Sequence, residues 1–194
     1  MGQIKSALEI ALEKTADIKS DALAGKKREL ENAGKRIASG FLETGNEADL
    51  KKALSAYKNE EKNIVTEGIK SLLLLKVSLP QEEEEVDTIM KAGKALDLLY
   101  PHRHLNNLFD SIKSVLEQYF VSQQQLEQAL EQQYAPQLRK KEMELARQTG
   151  QQIHLSPRQD PEFNQLLERN MRKLNEQYSQ AMEQAKQQIH EIIG

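Results

Sequence analysis

The fold is decided by residues 103–135, which read RHLNNLFDSIKSVLEQYFVSQQQLEQALEQQYA. Apolar side chains recur at intervals of three, four or, once, seven positions in this stretch: Leu105, Leu108, Ile112, Val115, Tyr119, Leu126 and Leu130. That spacing places them on one face of an α-helix. The stretch is therefore predicted to be one helix that buries a stripe along its length. Pro136 is predicted to kink or end it, because proline removes a hydrogen bond from a helix.

Two stretches of the same length flank this helix, at residues 47–79 and 161–193. The predicted stripe of the first consists of Leu50, Leu54, Tyr57, Glu61, Ile64, Gly68, Leu72, Leu75 and Leu79. Glu61 and Gly68 are its two interruptions. The second opens on an Asp-Pro-Glu sequence at 160–162, which is typical of a helix start. As helices, all three stretches would be about 50 Å long, so they could lie side by side.

Four shorter helices complete the predicted set. In chain order, the first has Ile4, Leu8, Leu12 and Thr15 on one face, and the second runs from Asp21 to the Thr44-Gly45-Asn46 turn. The fourth helix, after the one over 47–79, runs from Pro80 to Tyr100-Pro101. The sixth, after the one over 103–135, covers 138–148 and is followed by a loop over 149–160. Glu82 to Glu85 would lie in the first turn of the fourth helix, where the helix dipole favours acidic side chains. No stretch alternates apolar and polar residues over the length of a strand.

The predicted fold is all-α: an elongated antiparallel helical bundle with coiled-coil-like packing and a C-terminal helical hairpin. Short helices at 1–46 are expected to pack on a central bundle at 47–136, and 137–194 is expected to form the hairpin. In that hairpin the last helix would be covered only by the short helix before it and the distal part of the helix over 103–135.

Composition restricts where the protein acts and what it binds. The chain has 194 residues, 27 basic and 30 acidic side chains, a formal net charge of −3 and no cysteine. Residues 1–25 lack the pattern of a signal peptide, and the most apolar run, 71–79, is too short to span a membrane. We therefore expect a cytoplasmic protein without a transmembrane segment, disulfides or thiolate metal sites.

The basic residues form two small concentrations, one at 26–28 with 35–36, the other at 139–141 with Arg147. Both are interleaved with glutamates, Glu142 and Glu144 in the second, which at helical spacing can pair with the bases. A nucleic-acid-binding domain usually carries a basic excess, and none is found here. Nucleic acid is therefore not predicted as a partner.

Histidines and carboxylates give no convincing catalytic or metal-binding pattern. His102 and His104 would point apart on a helix and could chelate a metal together only in a turn, and no third ligand has suitable spacing. The acidic run at 82–85 is best interpreted as a solvated helix start. No metal, no organic cofactor and no catalytic residue is predicted. A small helical enzyme with a cleft near Tyr100, His102 and His104 remains an alternative.

Helix-mediated interaction is the function that we predict, as a scaffold, adaptor or assembly component with a protein partner or with a second copy. The candidate surface lies on the last helix and consists of Leu174, Tyr178, Met182, Ala185 and Ile189. The apolar stripe of this helix is long, and the helices expected to pack against it are shorter than the stripe. Weak binding to nucleic acid or to a membrane surface is a further alternative, and a small-molecule ligand is left open.

Several stretches resemble a group of uncharacterised bacterial all-helical proteins. They are GQIKSALEIALEKT at 2–15, LRKKE at 138–142, QTG at 148–150 and QDPEF at 159–163. The resemblance implies a bacterial, cytosolic protein. It carries no assigned activity and no catalytic or binding residue that could be transferred to this chain.

High helix content is the first testable expectation. Because helix-forming residues dominate and prolines delimit the segments, circular dichroism at 222 nm should indicate at least about two-thirds helix, against roughly one-third in an average globular protein. A spectrum dominated by strand or coil would contradict the predicted fold class.

Overall fold

The computed structural model describes the backbone of residues 7–194 and the side chains of residues 23–194. It is 85% helical, and no strand occurs among the described residues, which confirms the all-α class. Its helices are α1 (Ala7–Thr44), α2 (Glu47–Ser55), α3 (Asn59–Lys76), α4 (Glu85–Leu99), α5 (Arg103–Thr149) and α6 (Pro161–Ile193), with a 3₁₀ turn at Pro157–Gln159. Within the described part, no helix combines the length and apolarity needed to cross a membrane.

The chain divides into two compact units, and the division runs through α4. The first unit comprises Met1–Lys76 with Lys91–Pro101, and the second comprises Val77–Met90 with His102–Gly194. α1, α2 and α3 thus belong to the first unit, and α5 and α6 to the second.

In the first unit, α1 and α3 meet at two glycines. A Cβ on Gly34 would overlap the carbonyl oxygen of Val65, and a Cβ on Gly68 would overlap the carbonyl oxygen of Glu31. The two backbones can approach this closely only because neither residue has a side chain. Lys26 pairs with Glu61 at 2.8 Å, and both residues lie about two turns before the glycine of their own helix, so α1 and α3 run parallel.

The two helices predicted within residues 1–46 are one continuous helix, α1, from Ala7 onward. The proposed start at Asp21 was wrong, because the helical pattern continues through it, and Gly25 does not interrupt it either. A glycine costs a helix about 1 kcal/mol, which packing against α3 can offset. Ile4 lies outside the described residues, and the side chains of Leu8, Leu12 and Thr15 do as well.

The single helix predicted over 47–79 is in fact two helices, α2 and α3. The chain leaves the helix after Ser55, and Asn59 takes the left-handed conformation with φ 51°, which asparagine tolerates better than most residues. The break shifts the helical phase, so the core positions of α3 are Val65, Gly68, Ile69, Leu73 and Leu74. Leu75, predicted to lie in the stripe, is 68% exposed.

The fourth predicted helix starts later than expected. α4 begins at Glu85, not at Pro80, and Pro80 is buried in the segment before it. The backbone N–H of Gln81 donates to the Glu85 carboxylate at 2.7 Å. This bond ties the segment before α4 to the first residue of the helix. Of the acidic run, only Glu85 lies within α4.

Pro136 does not end the central helix. α5 runs through it to Thr149, so the predicted helices over 103–135 and 138–148 are one. Pro136 and Gln132, the residue whose carbonyl loses its partner, are both exposed, so water can satisfy that carbonyl. On the opposite face, Tyr134 and Leu138 remain buried on either side of the proline.

α6 has the predicted bounds of 161–193 and pairs antiparallel with α5. The ring of Tyr134 lies 5.4 Å from that of Phe163, and the ring of Tyr119 lies 5.1 Å from that of Tyr178. α6 therefore runs back along the earlier part of α5, between residues 134 and 119 and beyond. The expected cover was residues 138–148 together with the distal part of the helix over 103–135. α6 pairs with that distal part, whereas residues 138–148 meet it at its first turn, where Lys141 binds Glu162.

The glycine contact between α1 and α3 can be tested by substitution. Gly34→Ala should lower the free energy of unfolding by about 2–3 kcal/mol, because the new methyl group meets the α3 backbone, which cannot move aside cheaply. Thermal or urea unfolding measures the difference.

Gly25→Ala is the matched control on the same helix, since a Cβ at this position would have no atom within 4 Å apart from its own stretch of helix. It should be neutral or stabilising by up to about 1 kcal/mol. Equal effects of the two substitutions would contradict the close helix contact.

Candidate interaction site at the hairpin tip

The predicted surface on α6 is only partly accessible. Met182 is 1% exposed and Ile189 is fully buried, whereas Leu174, Tyr178 and Ala185 are partly exposed. Two of the five residues therefore belong to the core in this structure, and three lie at its edge.

A polar layer crosses the α5–α6 interface beside Tyr178. The Tyr119 hydroxyl donates to Asn175 at 2.9 Å and accepts from the side-chain amide of Gln123 at 2.6 Å. The Tyr178 hydroxyl shares a hydrogen bond of 3.0 Å with Ser122. Burial raises the pKa of Tyr119. These groups satisfy one another, so the layer fixes the helix register and offers no reactive group.

The histidines come closer together than the sequence suggested. His102 is the N-cap of α5 with an extended backbone, and its ring lies 5.2 Å from that of His104. Both side chains are exposed. Among the described residues, no group of three or more histidines, aspartates or glutamates is arranged to hold a metal ion.

Tyr100 lies in the first unit, on the same side of α3 as Lys70. The Lys70 ammonium is 5.9 Å from the centre of its ring, and the side chain is half-buried. Burial, and to a lesser extent the nearby Glu67 carboxylate, raise the pKa of the phenol. A phenol with a raised pKa gives up its proton less readily at neutral pH, so this environment does not activate Tyr100 as a nucleophile.

The hairpin tip is built by residues 138–163. α5 ends at Thr149 and is capped by Gly150, which has φ 70° and donates its N–H to the carbonyl of Ala146 at 2.9 Å. This left-handed conformation is the usual glycine stop of a helix. The chain then returns along α5 to the 3₁₀ turn, and Asp160 caps α6 by accepting from the N–H of Glu162 at 3.0 Å.

Lys141 joins the two helices at this tip. Its ammonium donates to Asp160 at 2.7 Å, to Glu162 at 2.8 Å and to the Tyr134 hydroxyl at 3.1 Å. The Tyr134 hydroxyl in turn donates to Asp160 at 3.0 Å. The Asp160 side chain is only 5% exposed. An ammonium has three donors, so Lys141 is saturated and the buried carboxylate is fully compensated.

The charges in this network shift one another's pKa values. The hydrogen bond from Lys141 lowers the pKa of Asp160 and that of Glu162 below their ordinary values. The same bonds, that to Asp160 first, raise the pKa of Lys141. Burial raises the pKa of Tyr134. All four groups therefore keep one protonation state around neutral pH, which suits a structural lock and not proton transfer.

An apolar cluster lies beneath the network and holds the returning loop. Its buried members are Leu130, Tyr134, Leu138, Phe163 and Leu167, and Leu155 of the loop packs against them. The backbone N–H of Leu155 also donates to Glu142 at 2.8 Å. Glu142 is therefore engaged by the loop.

On the outer face of α5, the same tip presents an apolar side chain among basic ones. Met143 is 63% exposed, and Arg139 and Arg147 lie one turn before and after it, with Lys140 beside them. None of the three basic side chains forms an ion pair within the described part of the chain. We call Arg139, Lys140, Met143 and Arg147 the tip stripe.

A groove of about 310 Å³ borders the tip stripe. Its lining is Arg139, Glu142, Met143, Ala146, Gln152, Ile153 and His154. Ile153, which is partly buried, extends the apolar surface of Met143 onto the returning loop. A second groove, of about 350 Å³, lies on the Lys141 side, where the hydrogen bonds of that ammonium are already used within the protein.

The basic residues of the stripe are evident in the sequence, but their availability is not. The neighbouring glutamates were expected to neutralise them at helical spacing. In the structure, Glu142 accepts from Leu155, and Lys141 is the base that binds carboxylates, across the hairpin. The one usable signal was Met143, an apolar residue in a run of charged ones that does not fit the buried stripe of α5.

A family model described as a family of unknown function, DUF6657, matches residues 51–191. The matched region covers most of the chain and includes the whole hairpin tip. No curated protein and no solved structure is significantly similar to the chain.

Asp160→Asn tests the ionic lock, since asparagine remains a good N-cap through its Oδ1, while its amide NH2 replaces the charged oxygen that accepts from Lys141 and Tyr134. The melting temperature should fall by several degrees at neutral pH. Because the pKa of Asp160 is lowered from its ordinary value of 3.8, the carboxylate contributes its full share to the free energy of unfolding above pH 3.8. That contribution is lost as the pH falls below this value. The difference between wild type and variant should therefore be largest above pH 4.5 and narrow below pH 3.8.

Glu168→Gln is the control, because Glu168 and its partner Arg172 are an exposed pair on α6 that should contribute little. A loss equal to that of Asp160→Asn, or a difference that does not change with pH, would contradict the lock.

Proposed function

Because the chain belongs to DUF6657, a family of unknown function, we propose its function from the hairpin tip. The protein is a helical scaffold or adaptor, and its tip stripe binds a partner protein through a segment that is acidic and partly apolar. One observation carries this proposal: Met143 is 63% exposed in the middle of three basic side chains without an ion pair among the described residues.

The composition of the stripe resembles the anatomy of a protein-binding surface. Such surfaces have an apolar centre that contributes most of the affinity and a polar or charged rim. Burial of a methionine side chain is worth about 1.5–3 kcal/mol, so Met143 and the adjoining Ile153 can serve as the centre. Arg139, Lys140 and Arg147 form the rim, and their charge selects a partner with carboxylates around an apolar side chain.

The tip is also held in place before a partner arrives. Lys141, Asp160, Glu162 and Tyr134 fix the start of α6 against α5, and Leu155 anchors the loop that carries Ile153. Because these groups are already ordered, binding loses less conformational entropy than binding to a mobile loop. A preformed surface on a hairpin suits an adaptor.

A protein partner fits the stripe better than nucleic acid or a membrane. Proteins that bind DNA commonly neutralise about 6–10 phosphates, and three bases around an apolar side chain supply fewer contacts. Glu144 adds a negative charge at the edge of the stripe. Anionic lipid attracts clusters of about 4–8 basic residues, again more than are present.

Of the five α6 residues predicted as an interaction surface, we keep three in the proposal. Leu174, Tyr178 and Ala185 keep some exposed area and could extend an interface, whereas contact through Met182 or Ile189 would require the hairpin to open. We further propose a cytoplasmic location, which the absence of cysteine supports.

A synthetic amphipathic peptide with glutamates around leucines is the probe for the first test. The protein should bind it more tightly than a charge-reversed peptide with lysines, by fluorescence anisotropy. Affinity should fall with added salt, since the rim charges are exposed. Met143→Glu should weaken binding about ten-fold, because it removes the apolar centre and opposes the charge of the probe.

Val121→Glu is the matched control for that variant. Val121 lies on the same helix and is 51% exposed, but glutamate and glutamines surround it at helical spacing. Its substitution should leave binding unchanged. Equal binding of both peptides, or tighter binding of duplex DNA or of phosphatidylglycerol vesicles, would contradict the proposal.

A photo-crosslinking residue at position 143 addresses the partner itself, with position 121 as the comparison. Position 143 should give a defined adduct in native cells, and mass spectrometry should place the crosslink in an acidic segment. The same adducts at both positions would mean that the tip has no specific partner.

A further inference from the structure

Methionine is the sulfur-containing side chain of this protein that peroxide can oxidise. The chain contains five methionines and no cysteine, so no thiol reacts first. Met143 is 63% exposed and Met182 is 1% exposed, while Met90 and Met171 are partly buried. Access to the oxidant governs which thioether reacts.

We propose that Met143 is a reversible oxidation site that controls the tip stripe. Hydrogen peroxide is the oxidant: the Met143 sulfur attacks one peroxide oxygen, the O–O bond breaks, an S–O bond forms and water leaves. The thioether loses two electrons and the peroxide gains them. A methionine sulfoxide reductase restores the thioether. The effect on partner binding rests on the function proposed above.

The structure allows this reaction without loss of the fold. Met143 lies outside the apolar cluster of the hairpin, and the turn of α5 that carries it is held by the Lys141 network and by the bond from Leu155 to Glu142. A polar sulfoxide at position 143 therefore remains in solvent. At Met182 the same group would be buried without a partner, which destabilises a core.

Oxidation of Met143 changes the binding surface at this one position and opposes the favourable free energy of burying the side chain. Met143 is the apolar centre of the stripe, and its sulfoxide is polar and must be desolvated when a partner covers it. The basic rim of Arg139, Lys140 and Arg147 is unchanged. Oxidation should therefore weaken the apolar part of binding and leave the electrostatic attraction in place.

Peptide mapping by mass spectrometry after a hydrogen peroxide time course tests the site on the full chain. Met143 should oxidise about ten-fold faster than Met182, and faster than Met90 and Met171. The melting temperature should not change while only Met143 is modified, and a methionine sulfoxide reductase should reverse the modification. Similar rates at Met143 and Met182, or unfolding that accompanies Met143 oxidation, would overturn the proposal.

Met143→Leu separates the site from the function. The variant keeps an apolar centre, so it should bind the acidic peptide before and after peroxide, whereas wild type should lose affinity about ten-fold on oxidation. Unchanged wild-type affinity at full Met143 oxidation would overturn the control of binding. If the untreated protein does not bind the peptide, the proposed function fails, and the order of oxidation still decides whether Met143 is the site.

Discussion

The ammonium of Lys141 is the group on which the hairpin tip depends. It donates to Asp160, to Glu162 and to Tyr134, and so joins the last turns of α5 to the first turn of α6. A buried carboxylate without such a partner would be strongly destabilising, so the N-cap of α6 can be buried only where Lys141 reaches it. The position of that contact decides where the chain turns back, and with it which residues of the tip face solvent.

The contacts of Lys141 also determine which charged side chains remain on the outer surface of the hairpin tip. Because Lys141 and Glu142 are used inside the hairpin, the remaining charges of this segment are Arg139, Lys140 and Arg147, with Glu144 at the edge. Residues 139–147 carry four basic and two acidic side chains, and the fold uses one of each, so the segment keeps its basic excess and presents it around Met143. The proposed binding of an acidic partner thus depends on this local basic excess around Met143, and not on the net charge of the chain, which is −3.

The first unit rests on a different constraint, which is steric. Gly34 and Gly68 allow the backbones of α1 and α3 to touch, and a side chain at either position would separate them. Only Gly68 lies within the region matched by the family model, residues 51–191, while its contact partner Glu31 lies outside it. The first unit of this chain is therefore completed by α1, which precedes the matched region.

The sequence by itself determined the all-α class and the bounds of α6, because helix-forming residues and the Asp-Pro-Glu start act locally. It did not determine whether α5 ends at Pro136 or where the helix after Glu47 breaks. Those outcomes depend on packing: the proline faces solvent, and the phase shift before Asn59 buries Val65 and exposes Leu75. The candidate site was likewise decided by tertiary structure, since only the paired helices show which glutamates and lysines of the tip are already bound.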